Sequence, residues 1–197
     1  MGAKLVIAQD HLQEALRAVA ALTNREALVG VTDSTDQRGG AEFGNAGIAY
    51  IAEFGSPVNN IPMRPFLGPG LDDKKNDIAR VLRVGAKLAM ETGDVTLVEN
   101  ALEVCGNLGR EGAVDRITGG MFAPLAKSTI EARARSDHPG AAGARVAVAN
   151  YDKFAVATAK GETMGGKPML NFYAPPLIDT SAFLHSITYI VRDKKRG

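Results

Sequence analysis

Apolar side chains at Leu12, Ala15, Leu16, Val19 and Leu22 recur in three- and four-residue steps, which predicts a helix over residues 10–23 with Asp10 as N-cap and one buried face. Ala27 to Val31 is short and β-rich, so it reads as a strand, and the polar run 32–40 after it reads as a mobile loop. Gly44-Asn45 offers a turn and an N-cap for a short helix over Ala46, Ile48, Ala49, Ile51 and Ala52 that Gly55 closes. Pro57, Pro62, Pro65 and Pro69 then crowd residues 55–70, and their fixed φ predicts an ordered arm rather than a helix. Helical spacing resumes from Leu71 to Thr92, where Gly93 stops it, and again over Leu97 to Leu108 behind an Asp94 cap. The two segments predict a helical hairpin whose second member is weakened by Gly106, Gly109 and Gly112.

Beyond Gly119-Gly120, Pro124 opens a helical segment that Asp137-His138-Pro139-Gly140 ends. Residues 139–174 are rich in Gly and Ala; Val146-Ala147-Val148 and Phe154-Ala155-Val156-Ala157 leave both a pair of short strands and a partly mobile surface insertion open. Pro175 to Ser181 makes a capped turn, Ala182-Phe183-Leu184 a helical turn, and Ser186 to Val191 alternates as a strand. An α+β fold follows, with several helices on a small, mostly antiparallel sheet. At 197 residues and 45% hydrophobic content the chain can bury a core without disulfides or metals, so one domain over 1–197 with an insertion at 139–174 is expected.

Charge narrows the function classes. Lys and Arg number 23 against 22 Asp and Glu, so any nucleic-acid contact must come from local clusters. The lone Cys105 fits folding in a reducing cytoplasm. Leu5-Val6-Ile7-Ala8 is too short for a signal-peptide core, and no stretch approaches the ~20 apolar residues of a membrane span, so neither export nor insertion is expected.

Two stretches resemble the phage virion-morphogenesis family, which includes Mu-type morphogenesis proteins and lambdoid neck or tail-completion proteins. The first is Val29-Gly30-Val31, then Asn45 to Gly55 ending in Glu53-Phe54-Gly55, then Ile61-Pro62-Met63-Arg64-Pro65-Phe66-Leu67. The second is Pro176-Leu177-Ile178-Asp179-Thr180-Ser181 with Leu184, Ser186, Ile187 and Val191, in which Ser181 stands where the family usually has glycine. The resemblance implies a non-enzymatic structural protein of the virion neck, assembled in the host cytoplasm as a cyclic homo-oligomer, six-fold by analogy. Its implied partners are the head connector or stopper, the tail terminator or tube proteins, and genomic DNA passing through the lumen; no cofactor is expected.

The residues themselves suit such a role. Proline rigidity reduces the entropy lost on binding and would present Phe54, Pro62, Met63, Pro65, Phe66 and Leu67 as a contact strip. Arg64 is the natural hydrogen-bonding residue of that strip, to a carboxylate within the chain or across an interface. Phe54, Phe66 and Leu67 equally suit covering the chain's own core. Arg192, Lys194, Lys195 and Arg196 read as a solvated tail or, alternatively, as lining for a DNA channel.

Two rival classes remain. A non-sequence-specific DNA-binding protein would use Arg80, Arg83, Lys87 and the C-terminal run. A phage-encoded hydrolase would recruit Asp179 and His185, but no histidine has a defined spacing to Asp179-Thr180-Ser181, and capping explains Asp179 or Thr180 directly. His11, His138 and His185 are scattered singly and predict no zinc site. Gly161 to Lys167 lacks the order of a phosphate loop.

Overall fold

The computed structural model describes residues 12–32, 44–178 and 182–194. In order they form α1 (Leu12–Asn24), β1 (Arg25–Val31), α2 (Asn45–Phe54), a 3-10 turn (Pro57–Asn59), α3 (Leu67–Thr92), α4 (Thr96–Gly119), α5 (Lys127–Ala134), α6 (Ala141–Ala149) and α7 (Tyr151–Ala159). Then follow β2 (Thr163–Met164), β3 (Lys167–Pro168), α8 (Met169–Tyr173), α9 (Ala182–His185) and β4 (Ile187–Asp193). The architecture is α+β: helices with two small two-stranded antiparallel sheets, β1 with β4 and β2 with β3. The Asp10 cap, the run 33–40, the Asp179-Thr180-Ser181 cluster and His11 lie outside the described residues.

Two compact units emerge. Among the described residues, the first draws on 12–28, 74–109 and 189–194. Its core gathers Ala18, Ala89, Val98 and Leu102, with Leu22, Leu82 and Val191 packed against them. The helix α1 forms as its periodicity predicts, but on a different face: Ala18 is buried, whereas Leu12, Leu16 and Val19 are exposed. Small residues decide this, because Ala18 and Ala89 share the core and Glu14 occupies the space where a side chain at Gly93 would sit, so the alanine face gives the closest approach. Residues of α3 and α4 are close here too, since a Cβ on Gly85 would lie 2.5 Å from Ala101 Cβ.

Asp94 caps α4 as its position predicts. The Thr96 hydroxyl and backbone N–H donate to its Oδ1 at 2.7 and 3.0 Å, and those two bonds, the hydroxyl first, hold its carboxyl below the usual range. The glycines expected to weaken α4 do not end it. A Cβ on Gly106 would collide with the Tyr189 ring, so this glycine admits the tyrosine of β4. Cys105 is buried on the same helix, its thiol 3.6 Å from the Ile78 carbonyl, and burial raises its pKa. Alkylation of Cys105 at pH 8 should therefore be at least ~100-fold slower in the folded protein than in denaturant, which mass-spectrometric labelling checks.

Among the described residues, the second unit comprises 29–32, 44–73, 110–178 and 182–188. One core within it joins Ala52, Phe66, Ala113, Ile117, Phe183 and Ile187. A second joins Ile130, Ala144, Ala147, Phe154, Leu170 and Ala174. The strands considered at 146–148 and 154–157 are helices, α6 and α7, because the buried residues Ala141, Ala144 and Ala147, and then Phe154 and Ala157, fall at three-residue steps. Two of their valines, Val146 and Val156, face out, while Val148 is partly buried against this core. Within 139–174 only β2 and β3 are extended, paired Thr163 to Pro168 and Met164 to Lys167 around Gly165-Gly166, both at positive φ as a tight hairpin turn requires.

Candidate assembly surface

The arm is held to its neighbours from both ends. Gly55, at φ 73°, ends α2 and donates its N–H to the Ile51 carbonyl at 2.8 Å. No side chain fits there, since a Cβ would meet the Ile61 carbonyl and Met63 at 3.0 Å. The N-cap is Gly44, which makes no side-chain cap bond; Asn45, expected as a cap, is instead a buried first helical residue. Ser56 and Ile61 exchange backbone hydrogen bonds at 2.9 and 3.0 Å across the 3-10 turn, and Arg64 N–H returns to the Ala52 carbonyl at 2.7 Å.

The α2 helix also supplies the start of α3. Glu53 Oε2 accepts the Phe66 and Leu67 N–H groups at 2.9 and 3.0 Å, and its Oε1 accepts Gly68 N–H at 2.9 Å. A helix leaves its first amides without internal partners, and one carboxylate here satisfies three consecutive donors while lying at the positive end of the dipole. This explains why α3 begins at Leu67 rather than Leu71, correcting the arm's predicted end at residue 70. Pro69 is tolerated in the first turn, where its absent N–H costs no helical bond. Close packing fixes the same turn, since a Cβ on Gly70 would lie 2.6 Å from the Gly112 and Ala113 backbone.

Arg64 points inward. Only 8% exposed, it donates from Nε to the Ala123 carbonyl and from Nη2 to the Pro124 carbonyl, both at 2.9 Å. The carboxylate partner expected for it is replaced by backbone, and desolvation, followed by the Arg133 guanidinium, lowers its pKa. Arg133 donates to the Pro175 and Ile178 carbonyls at 2.8 and 3.3 Å. Asn171, fully buried, donates to the Gly120 and Phe122 carbonyls, both at 2.7 Å. Residues 120–124 are thus clasped from two sides by side-chain donors.

The expected contact strip divides. Phe66, 1% exposed, meets Phe183 edge-on at 5.5 Å between ring centroids and belongs to the core, and Leu67 is half-buried against it. Phe54 is 60% and Met63 63% exposed, with Pro62 and Pro65 also exposed. Tyr50, which the sequence did not single out, joins Phe54, its ring 4.9 Å away, and Val58, within the predicted contact segment, is 93% exposed on the 3-10 turn. Tyr50 was recoverable, being four residues before Phe54 on one helix face. Met63 Cγ lies over Gly55, the residue that follows Phe54.

No family model, curated protein or solved structure matches the chain. The resemblance to phage morphogenesis proteins therefore stands on its two stretches of sequence.

At the C-terminal end the structure assigns other partners to part of the proposed DNA-lining run. Arg192 pairs with Glu26 at 3.0 Å, and neighbouring Asp193 with Arg25 at 3.2 Å, across the β1–β4 sheet. Lys194 is exposed and donates its N–H to the Asn24 carbonyl at 2.7 Å; Lys195 and Arg196 lie outside the described residues. On α3, Arg80 and Lys87 make intrahelical pairs with Asp77 and Glu91 at 3.2 and 3.8 Å. Among the described residues, no three His, Cys, Asp or Glu side chains gather to hold a metal, and no helix is long and apolar enough to cross a membrane.

Proposed function

We propose that this protein is a structural component of a tailed-phage virion, a neck or tail-completion protein that assembles with copies of itself into a ring between head connector and tail. The observation that carries the reading is the set of exposed apolar side chains, Tyr50 and Phe54 at the end of α2 and Val58 and Met63 on the proline-stiffened arm after it, which is hydrogen-bonded at both ends. Large aromatic and methionine side chains held rigidly in solvent are what a protein interface uses, since little entropy remains to be lost when they are covered. Phe54 of the Glu-Phe-Gly turn and Met63 of the Pro-Met-Arg-Pro-Phe arm, the motifs through which the chain resembles the phage family, are both exposed in this strip. The occupant of the strip is a second copy of the chain: head-to-tail contacts of a cyclic ring use two different surfaces of each protomer and leave axial faces for connector and tail proteins. No reaction is assigned.

Sedimentation velocity over a concentration series, with native mass spectrometry, tests association. The wild-type protein should form a discrete oligomer, and Phe54→Ser with Met63→Ser should weaken it by about 30-fold or more without loss of fold. A protein that stays monomeric at high concentration and is absent from the neck in a particle reconstruction would sink the proposal.

A further inference from the structure

We infer that Glu53 is the positioning residue of the assembly surface, controlling association through the order of the arm and without touching the partner; this rests on the reading of the strip given above. Both of its oxygens are taken up by the Phe66, Leu67 and Gly68 N–H groups. The next residue, Phe54, carries the exposed ring, and the next but one, Gly55, is the platform under Met63. Residues 54–65 thus run between two points tied by one side chain: Glu53 in α2 and the amides of Phe66 to Gly68, where α3 begins. The second tie, Arg64 N–H to the Ala52 carbonyl, spans residues 52–64 and overlaps the first. Remove the carboxylate and the first turn of α3 loses its acceptor, while Arg64 and Phe66 still bury themselves. The fold then survives with an arm that is ordered only part of the time.

Apparent affinity falls by the fraction of molecules that are competent to bind, so an arm ordered about one-tenth of the time gives roughly a tenfold higher Kd with every contact residue intact. An acidic side chain at 53 is needed for this, because a neutral amide offers a single oxygen for three donors and presents N–H groups of its own to the others.

The experiment compares full-length wild type, Glu53→Gln, Glu53→Asp and Ile130→Val by amide hydrogen exchange and sedimentation velocity. Ile130 lies in the other core of the same unit, so its variant controls for lowered stability; Ile130→Ala replaces it if a larger melting shift must be matched. Glu53→Gln should speed exchange at Phe66, Leu67 and Gly68 and weaken association roughly tenfold or more, Glu53→Asp should fall between it and wild type, and the matched Ile130 variant should associate as wild type does. The inference is overturned if Glu53→Gln associates like wild type, if its amides exchange no faster, or if the Ile130 control loses as much affinity. An effect of Phe54→Ser with Met63→Ser but none of Glu53→Gln removes only the latch. No effect of either removes the surface and the latch together.

Discussion

Phe66→Ala should lower unfolding stability by about 3–5 kcal/mol, the largest single effect expected in this chain. The side chain is 1% exposed and packs with Ala52, Ala113, Ile117, Phe183 and Ile187, so its loss opens a cavity among residues from α2, α4, α9 and β4. The edge-on contact with Phe183 adds to the loss of apolar burial. Collapse around the cavity is restricted, since Gly70 already touches Gly112 and Ala113 and the Phe66 N–H is fixed to Glu53. Chemical denaturation read by far-ultraviolet circular dichroism measures the change. A loss under 1 kcal/mol would show that Phe66 is not a core residue and would return it to the surface strip.

The second large effect is expected at Arg64. Arg64→Leu should cost about 2–4 kcal/mol, because it leaves the Ala123 and Pro124 carbonyls without their donors in a part-buried place. Relief of the Arg64–Arg133 repulsion offsets a part of that. Arg64→Lys tests the geometry separately: one ammonium cannot reproduce two parallel donors from a planar fork, so the lysine variant should recover less than half of the loss. Full rescue by lysine would mean that charge alone matters at this position.

The existence of most helices was legible because periodicity is a property of the chain itself. Leu71 to Thr92 and Leu97 to Leu108 are inside α3 and α4, and Ala182 to Leu184 inside α9. What periodicity does not carry is which side of a helix meets a partner. On α1 the larger apolar residues predicted the buried face, whereas close packing of Ala18 near Ala89 chose the alanine side. In α6 and α7 the valines suggested strands; these segments are helical because their alanines and Phe154 form one buried side with Ile130 and Leu170.

The surface was half legible. Proline spacing found the arm, and Phe54 and Met63 are exposed on it. Nothing local marks Glu53 as the acceptor for amides 13 to 15 residues away, nor an arginine between prolines as a buried donor to carbonyls 59 and 60 residues away. Both are contacts whose partners are backbone atoms, which have no signature in the side-chain alphabet.

The cross-strand pair between Arg25 and Asp193 spans 168 residues of sequence, and Lys194 N–H reaches the Asn24 carbonyl beside it. That separation has a consequence during synthesis. Closing so wide a loop is slow, and β1 must wait for those 168 residues to be translated before its partner strand emerges from the ribosome. Until then Val29 and its neighbours are an unpaired edge that can stick to other nascent chains. Overproduction at low temperature, where translation and aggregation both slow, should therefore improve the soluble yield more than it would for a protein whose strands pair locally.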